Sequence, residues 1–251
     1  MIKKTYFLPS EYNLFSYEEV RSTMITAREL ANKSGEIGTI VWAKNQTEGR
    51  GRQGKSWVSP PGNLYFSFIR ESEQLSKNLL FSPVYITSLS LAETIEEISS
   101  SSIDLFIKWP NDLLVNGSKI AGILIERFLS FNKKDLLNIG VGVNVNNSPN
   151  NVGYITTNLK KENVNISPKD LLLCFFENLS RNEKKYNTQG LELILKKWKK
   201  YSHNKGDKLK VKLGNNNLEG IFEDIDKNGA LILLLKNGKT ETIYAGDVFV
   251  L

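Results

Sequence analysis

The chain has one cysteine, Cys174, one histidine, His203, and only two methionines in 251 residues. A lone cysteine cannot close an internal disulfide, and Cys174 sits in the apolar stretch Leu171 to Phe176, which reads as core packing rather than a reactive thiol. A single histidine excludes paired-histidine catalysis and His/Cys metal sites. Long apolar runs are missing as well. Ala230 to Leu235 falls far short of a membrane span, and the basic start, Met1 to Pro9, is not followed by an apolar stretch of signal-peptide length. The expected location is therefore the cytoplasm, with no membrane partner.

What is present points to a folded enzyme. A hydrophobic fraction of 40% supplies a buried core and takes the chain out of the disordered regime. The net charge of +6 is carried partly by pairs such as Lys160-Lys161, Lys184-Lys185, Lys196-Lys197 and Lys199-Lys200. Lacking interleaved aromatics, these read as solvated faces rather than a nucleic-acid surface.

Apolar residues at helical spacing (Val20, Met24, Ala27, Leu30, Ala31) predict a helix from Tyr17 to Lys33, stopped by Gly35. Strands are expected over Ile37–Ala43 and Asn63–Ile69, with the polar segment Lys44–Gly62 as the loop between them. Ser82-Pro83 opens a helix to about Ser100. Strands follow at Asp104–Lys108, Leu113–Val115, Ala121–Phe128 and Leu136–Val145, with Asn116-Gly117 as a hairpin turn. The asparagine-rich stretch Asn144–Asn151 reads as a surface loop. Helices are expected from Ser167-Pro168 to about Tyr186 and from Leu191 to Tyr201. After Gly206 the pattern changes to five short strands, best fitted by a small closed barrel. The fold class is α+β: a catalytic domain over residues 1–204, a mixed sheet with flanking helices, then a barrel domain over 205–251.

Three segments carry chemistry. Gly49-Arg50-Gly51-Arg52-Gln53-Gly54-Lys55-Ser56-Trp57 crowds glycines and cations into one loop, where close-approaching N–H groups and forked arginines suit carboxylate and phosphate. Its first eight residues also satisfy the P-loop pattern G-x-x-x-x-G-K-S, but Pro60, Pro61 and Gly62 follow and cannot extend the helix a P-loop requires. A P-loop NTPase is therefore a minor alternative. Lys108-Trp109-Pro110-Asn111-Asp112-Leu113 makes a rigid polar corner at a strand end, followed by Lys119-Ile120-Ala121-Gly122-Ile123-Leu124. Gly140-Val141-Gly142-Val143-Asn144 alternates glycines within a strand, leaving a bare floor for a flat ligand. Taken singly, each segment also fits an ordinary loop, hairpin or strand.

Together and in this order, they resemble the signatures of biotin protein ligases: a GRGRxGRxW-type loop, a KWPNDL corner, a KIAGIL-type strand and a GxGxN strand. The chain's end, through Ala245-Gly246-Asp247-Val248, is similar to that family's C-terminal SH3-like domain. The resemblance implies ATP-dependent activation of biotin as biotinyl-AMP, with Mg²⁺, and transfer to a lysine of a biotin carboxyl carrier protein of acetyl-CoA carboxylase or a related carboxylase. It implies that Ser22, Thr23, Gln46, Arg50, Gly51, Arg52, Lys119 and Gly122 meet biotin, and that Arg52, Trp57, Asn111, Lys119 and Asn144 meet the nucleotide. Lys119, Arg52 and Asp112 are the implied catalytic residues, with Asp112 where the acceptor amine arrives. Two positions depart from the pattern: Met24 stands where asparagine is usual, and Lys55 where arginine is usual. Lysine is a point charge without arginine's fork. A lipoate ligase shares the adenylation logic but lacks the Trp-Pro-Asn-Asp corner. The chain resembles the type without a DNA-binding winged helix, so no DNA partner is expected, while a homodimer is compatible with the resemblance.

Overall fold

The computed structural model describes residues 7–34, 36–72, 82–150, 152–214 and 216–250. Seven strands form one sheet: β1 (Asn13–Val20), β2 (Thr39–Gln46), β3 (Leu64–Glu71), β4 (Leu105–Lys108), β5 (Asp112–Val115), β6 (Ser118–Leu129) and β7 (Asp135–Val143). Their order across the sheet is β1-β2-β3-β7-β6-β5-β4. The β1–β2 pair is parallel and the other pairs are antiparallel.

Alternation along the strands divides the sheet into two faces. On β3, Leu64, Phe66 and Phe68 enter the main core with Phe175, Phe176, Leu89 and Ile95, while Ile69 packs on the opposite face with Ala27, Ala31 and Val41. Helix α1 (Thr23–Ser34) covers that second face, and α2 (Ser82–Ile98), α3 (Pro168–Gln189) and α4 (Leu191–Trp198) cover the first. Ser167 caps α3 by accepting a 3.0 Å hydrogen bond from the Asp170 N–H, and Pro168 follows in the first turn. Asn116 (φ 48°) and Gly117 (φ 73°) make the tight turn between β5 and β6.

The expected helix at Tyr17 starts later than the sequence suggests. Residues up to Val20 are strand β1, paired from Asn13↔Thr39 to Val20↔Gln46, and α1 begins only at Thr23. β1 is a largely exposed edge strand, so it carries no clean alternation to announce it. Gly35, the expected stop, lies outside the described residues.

The C-terminal segment forms β8 (Lys208–Leu213), β9 (Asn216–Ile225), β10 (Leu231–Leu235), β11 (Thr240–Ile243) and β12 (Asp247–Val250), in the order β11-β10-β9-β8-β12. This SH3-like sheet is open, not the closed barrel expected. Its two outer strands are four residues each and do not pair with one another, and the Gly246 carbonyl between them is turned towards Arg52 instead. Leu209, Val211, Phe222, Leu231 and Val248 belong to the same continuous core as the main sheet. Tyr85 fastens the joint: its hydroxyl accepts from Trp109 Nε1 at 2.9 Å and donates to the Gly229 carbonyl at 2.6 Å. No helix among the described residues is long and apolar enough to cross a membrane.

Candidate active site

On the α1 face, β7 and β6 carry glycines where other strands carry bulk. Gly140, Gly142 and Gly122 lie together, with Gly142 paired to Gly122 across the ladder. The expected bare floor is already covered. A Cβ on Gly142 would stand 2.5 Å from Trp57 Nε1, one on Gly122 would stand 3.0 Å from Trp57 Cζ3, and one on Gly140 would stand 2.8 Å from the Met24 thioether. The glycines thus seat two side chains, which form the lining in their place.

Above this floor a cleft of about 730 Å³ opens. It is lined by Ser22, Thr23, Gln46, Arg50, Gly51, Arg52, Trp57, Asn111, Asp112, Lys119 and Gly122, so eleven of the twelve residues implied by the resemblance are brought together. Asn144 lines an adjoining space of about 460 Å³ with Lys55, Trp57, Lys119 and Tyr154. It is buried rather than part of a surface loop, donating from Nδ2 to the Thr157 carbonyl at 3.0 Å. The stretch after it is also tied down, with the N–H groups of Val145, Asn146 and Asn147 all donating to Asn63 Oδ1.

One end of the cleft is neutral and polar. Gln46 Oε1 accepts from the Thr23 N–H at 2.8 Å and from Thr23 Oγ1 at 3.1 Å, and Gln46 Nε2 donates to Ser59 Oγ at 2.9 Å. Ser22 Oγ is buried there without a hydrogen-bond partner among the described residues.

The other end is charged. Lys119 is paired with Asp112 at 2.8 Å, and its ammonium lies 5.3 Å from the Trp57 ring centroid and 4.9 Å from that of Tyr154. Arg52 donates to Asn111 Oδ1 at 2.8 Å and lies 3.7 Å from Asp247, which also takes Lys55 at 3.1 Å. Arg50 pairs with Glu126 at 2.8 Å. Lys108 is held below the usual lysine range, chiefly by burial.

The basic loop is a short hairpin. Arg50 bridges Ser56, the Gly51 N–H donates to the Lys55 carbonyl at 2.7 Å, and the turn residues Gln53 (φ 54°) and Gly54 (φ 74°) are left-handed. Trp57 to Pro60 continue without helix towards β3, so the P-loop alternative is removed: the N-terminus that would face the phosphates is not formed. Among the described residues no group of three or more His, Cys, Asp or Glu side chains could hold a metal ion.

Comparison with known proteins adds to this geometry. Residues 17–146 match the model of the Biotin/lipoate A/B protein ligase family, and residues 209–251 match the Biotin protein ligase C terminal domain. The chain belongs to the biotin protein ligase family. It is 32% identical over 247 residues to the bifunctional ligase/repressor BirA of Bacillus subtilis (strain 168), covering 94% of this chain and 73% of that protein. It is 30% identical over 223 residues to the biotin–acetyl-CoA-carboxylase ligase of Paracoccus denitrificans, covering 83% of this chain and 89% of that one. The structure of the biotin protein ligase from Aquifex aeolicus in complex with biotin and ATP superimposes with a TM-score of 0.79 at 29% identity, covering 95% and 98% of the two chains.

Several lining residues of this biotin protein ligase were given no site role from sequence: Lys108, Tyr154, Asp247 and Phe249. Lys108 opens the polar corner itself and Tyr154 follows the glycine strand by ten residues, and their cationic and aromatic character was the available signal. Asp247 and Phe249 arrive from β12 only because the C-terminal sheet docks against the cleft, and no local pattern announces that.

Proposed function

We propose that one cleft carries both half-reactions of an AMP-forming biotin ligase, with a carboxylase carrier domain as the acceptor. The enzyme joins biotin to AMP at the expense of ATP and passes the biotinyl group to protein. The observation that carries the assignment of roles is the position of Lys119, a cation held by Asp112, Trp57 and Tyr154 in the charged end of a cleft whose other end is neutral and polar.

In the first step a biotin carboxylate oxygen bonds to the α-phosphorus of ATP and the bond to pyrophosphate breaks. Two anions must meet, so the demand on the protein is electrostatic and positional. Lys119 would contact both the carboxylate and the α-phosphate, and Arg52, fixed by Asn111, lines the same cleft. Ser22, Thr23 and Gln46 take the ureido ring, and the Trp57 side supports the acyl chain and adenylate. The carboxylates in the lining are Asp112 and Asp247, each already paired with a cation. Two carboxylates already paired with cations suit Mg²⁺ that arrives on its nucleotide rather than a resident ion, with Asp112 beside it. Bound there, the ion would neutralise phosphate charge.

In the second step the carrier lysine nitrogen bonds to the biotinyl carbonyl carbon, AMP leaves and the amine loses a proton. Asp112, ion-paired at the cleft and partly exposed, would orient that amine and take the proton. The division into residues 1–204 and 205–251 belongs to the same proposal and rests on the change from helices to short strands at that point.

The test is biotin-dependent exchange of labelled pyrophosphate into ATP by the purified chain. Exchange that requires biotin supports the first step. Its absence in a folded protein contradicts it.

A further inference from the structure

Along β7 the floor changes character with each glycine. Met24 lies on Gly140, and Trp57, with Lys119 above it, lies on Gly142, about 7 Å further along the strand. If Lys119 meets the carboxylate, as proposed above, Met24 lies one acyl-chain length away, against the sulfur-containing ring. Met24 is 4% exposed and lines the cleft.

The polar groups around the thioether are engaged elsewhere. Thr23 Oγ1 is bonded to Gln46 Oε1 at 3.1 Å and to Ser67 Oγ at 2.8 Å. Asn138 Nδ2 donates to the Met24 carbonyl at 2.7 Å. Two buried donors of the lining have no partner among the described residues, Ser22 Oγ, on the end assigned to the ureido ring, and Trp57 Nε1, which lies over Gly142 rather than Gly140, while the unpartnered Asn138 Oδ1 is an acceptor. The wall at Gly140 is therefore a flexible, polarisable thioether that carries no donor of its own.

We propose that Met24 is a specificity-determining residue that selects acids whose ring sulfur is an unoxidised sulfide. This inference rests on the ligase reading and deepens it. A sulfoxide oxygen turned to this wall is a strong acceptor without a partner, which weakens binding by roughly tenfold or more.

The test measures kcat/KM in pyrophosphate exchange with biotin and with biotin sulfoxide for the wild type, Met24→Gln and Met24→Leu, with a melting curve for each. The wild type and Met24→Leu should favour biotin by at least about tenfold, whereas Met24→Gln, of similar shape but carrying an amide donor, should lose about tenfold of that preference. Absence of preference in the wild type, an unchanged preference in Met24→Gln, or its loss in Met24→Leu overturns the inference. Should Met24→Gln fail to fold, Met24→Thr is read by the same criterion. Wild-type enzyme that exchanges with neither acid fails the ligase reading itself. Exchange with biotin alone keeps that reading whatever position 24 does.

Discussion

The indole of Trp57 packs against the backbone of Gly142, so close that a Cβ at position 142 would stand 2.5 Å from Trp57 Nε1. The glycine thereby sets the height of the aromatic surface on which Lys119 rests. Gly142→Ala should push the indole out of register by about an ångström and reduce biotin adenylation by up to about 100-fold. Steady-state exchange together with tryptophan fluorescence checks this, and unchanged activity with a shifted indole would separate Trp57 from catalysis.

Lys119 and Asp112 make a partly buried pair at 2.8 Å. Lys119→Ala should retain the fold and lose on the order of 100-fold or more in adenylate formation, because the removed charge acts where charge develops. Single-turnover formation of biotinyl-AMP measures it. A variant that forms the adenylate at near wild-type rate would remove Lys119 from the chemistry.

The joint between the two sheets has its own signature. His203 is buried, with Phe106 and Phe222 at ring-centroid distances of 4.9 and 5.5 Å, and neither ring nitrogen has a hydrogen-bond partner among the described residues. Burial pushes its pKa down to about 4, with Asp207 opposing and Lys108 adding to the shift. The unfolded chain therefore binds a proton that the folded chain refuses between the ordinary histidine pKa of about 6.5 and the folded value. Stability from this group is fully present above that window and is lost as pH falls through it, by about 3 kcal/mol in total. Denaturant melts at closely spaced pH values should show the slope, and His203→Phe should flatten it. An unaltered slope in that variant would contradict the assignment.

Tyr85 bridges Trp109 and Gly229 through one buried hydroxyl. Tyr85→Phe leaves an indole N–H and a carbonyl without that partner and should cost about 1–3 kcal/mol. Equilibrium unfolding reads the loss directly.

Much of this site was legible in the chain because its parts are local. The Asn116-Gly117 turn, the glycine pairs and the basic loop each carry their geometry within a few residues, and the order of motifs carried the family. What was not legible depends on distant packing. The spacing of Gly140 and Gly142 announced an empty floor but not that Met24 and Trp57, far away in sequence, would cover it. β1 went unread because an exposed edge strand needs no apolar alternation. The contribution of Asp247 follows from docking of the C-terminal sheet, as does the opening of that sheet where Gly246 turns to Arg52.

The most direct measurement is transfer of labelled biotin to a carboxylase carrier domain in the presence of ATP and Mg²⁺, with lipoate in parallel. Biotin on the carrier lysine and no lipoate is the expected result. Transfer of lipoate, or of neither acid by folded protein, would contradict the assignment.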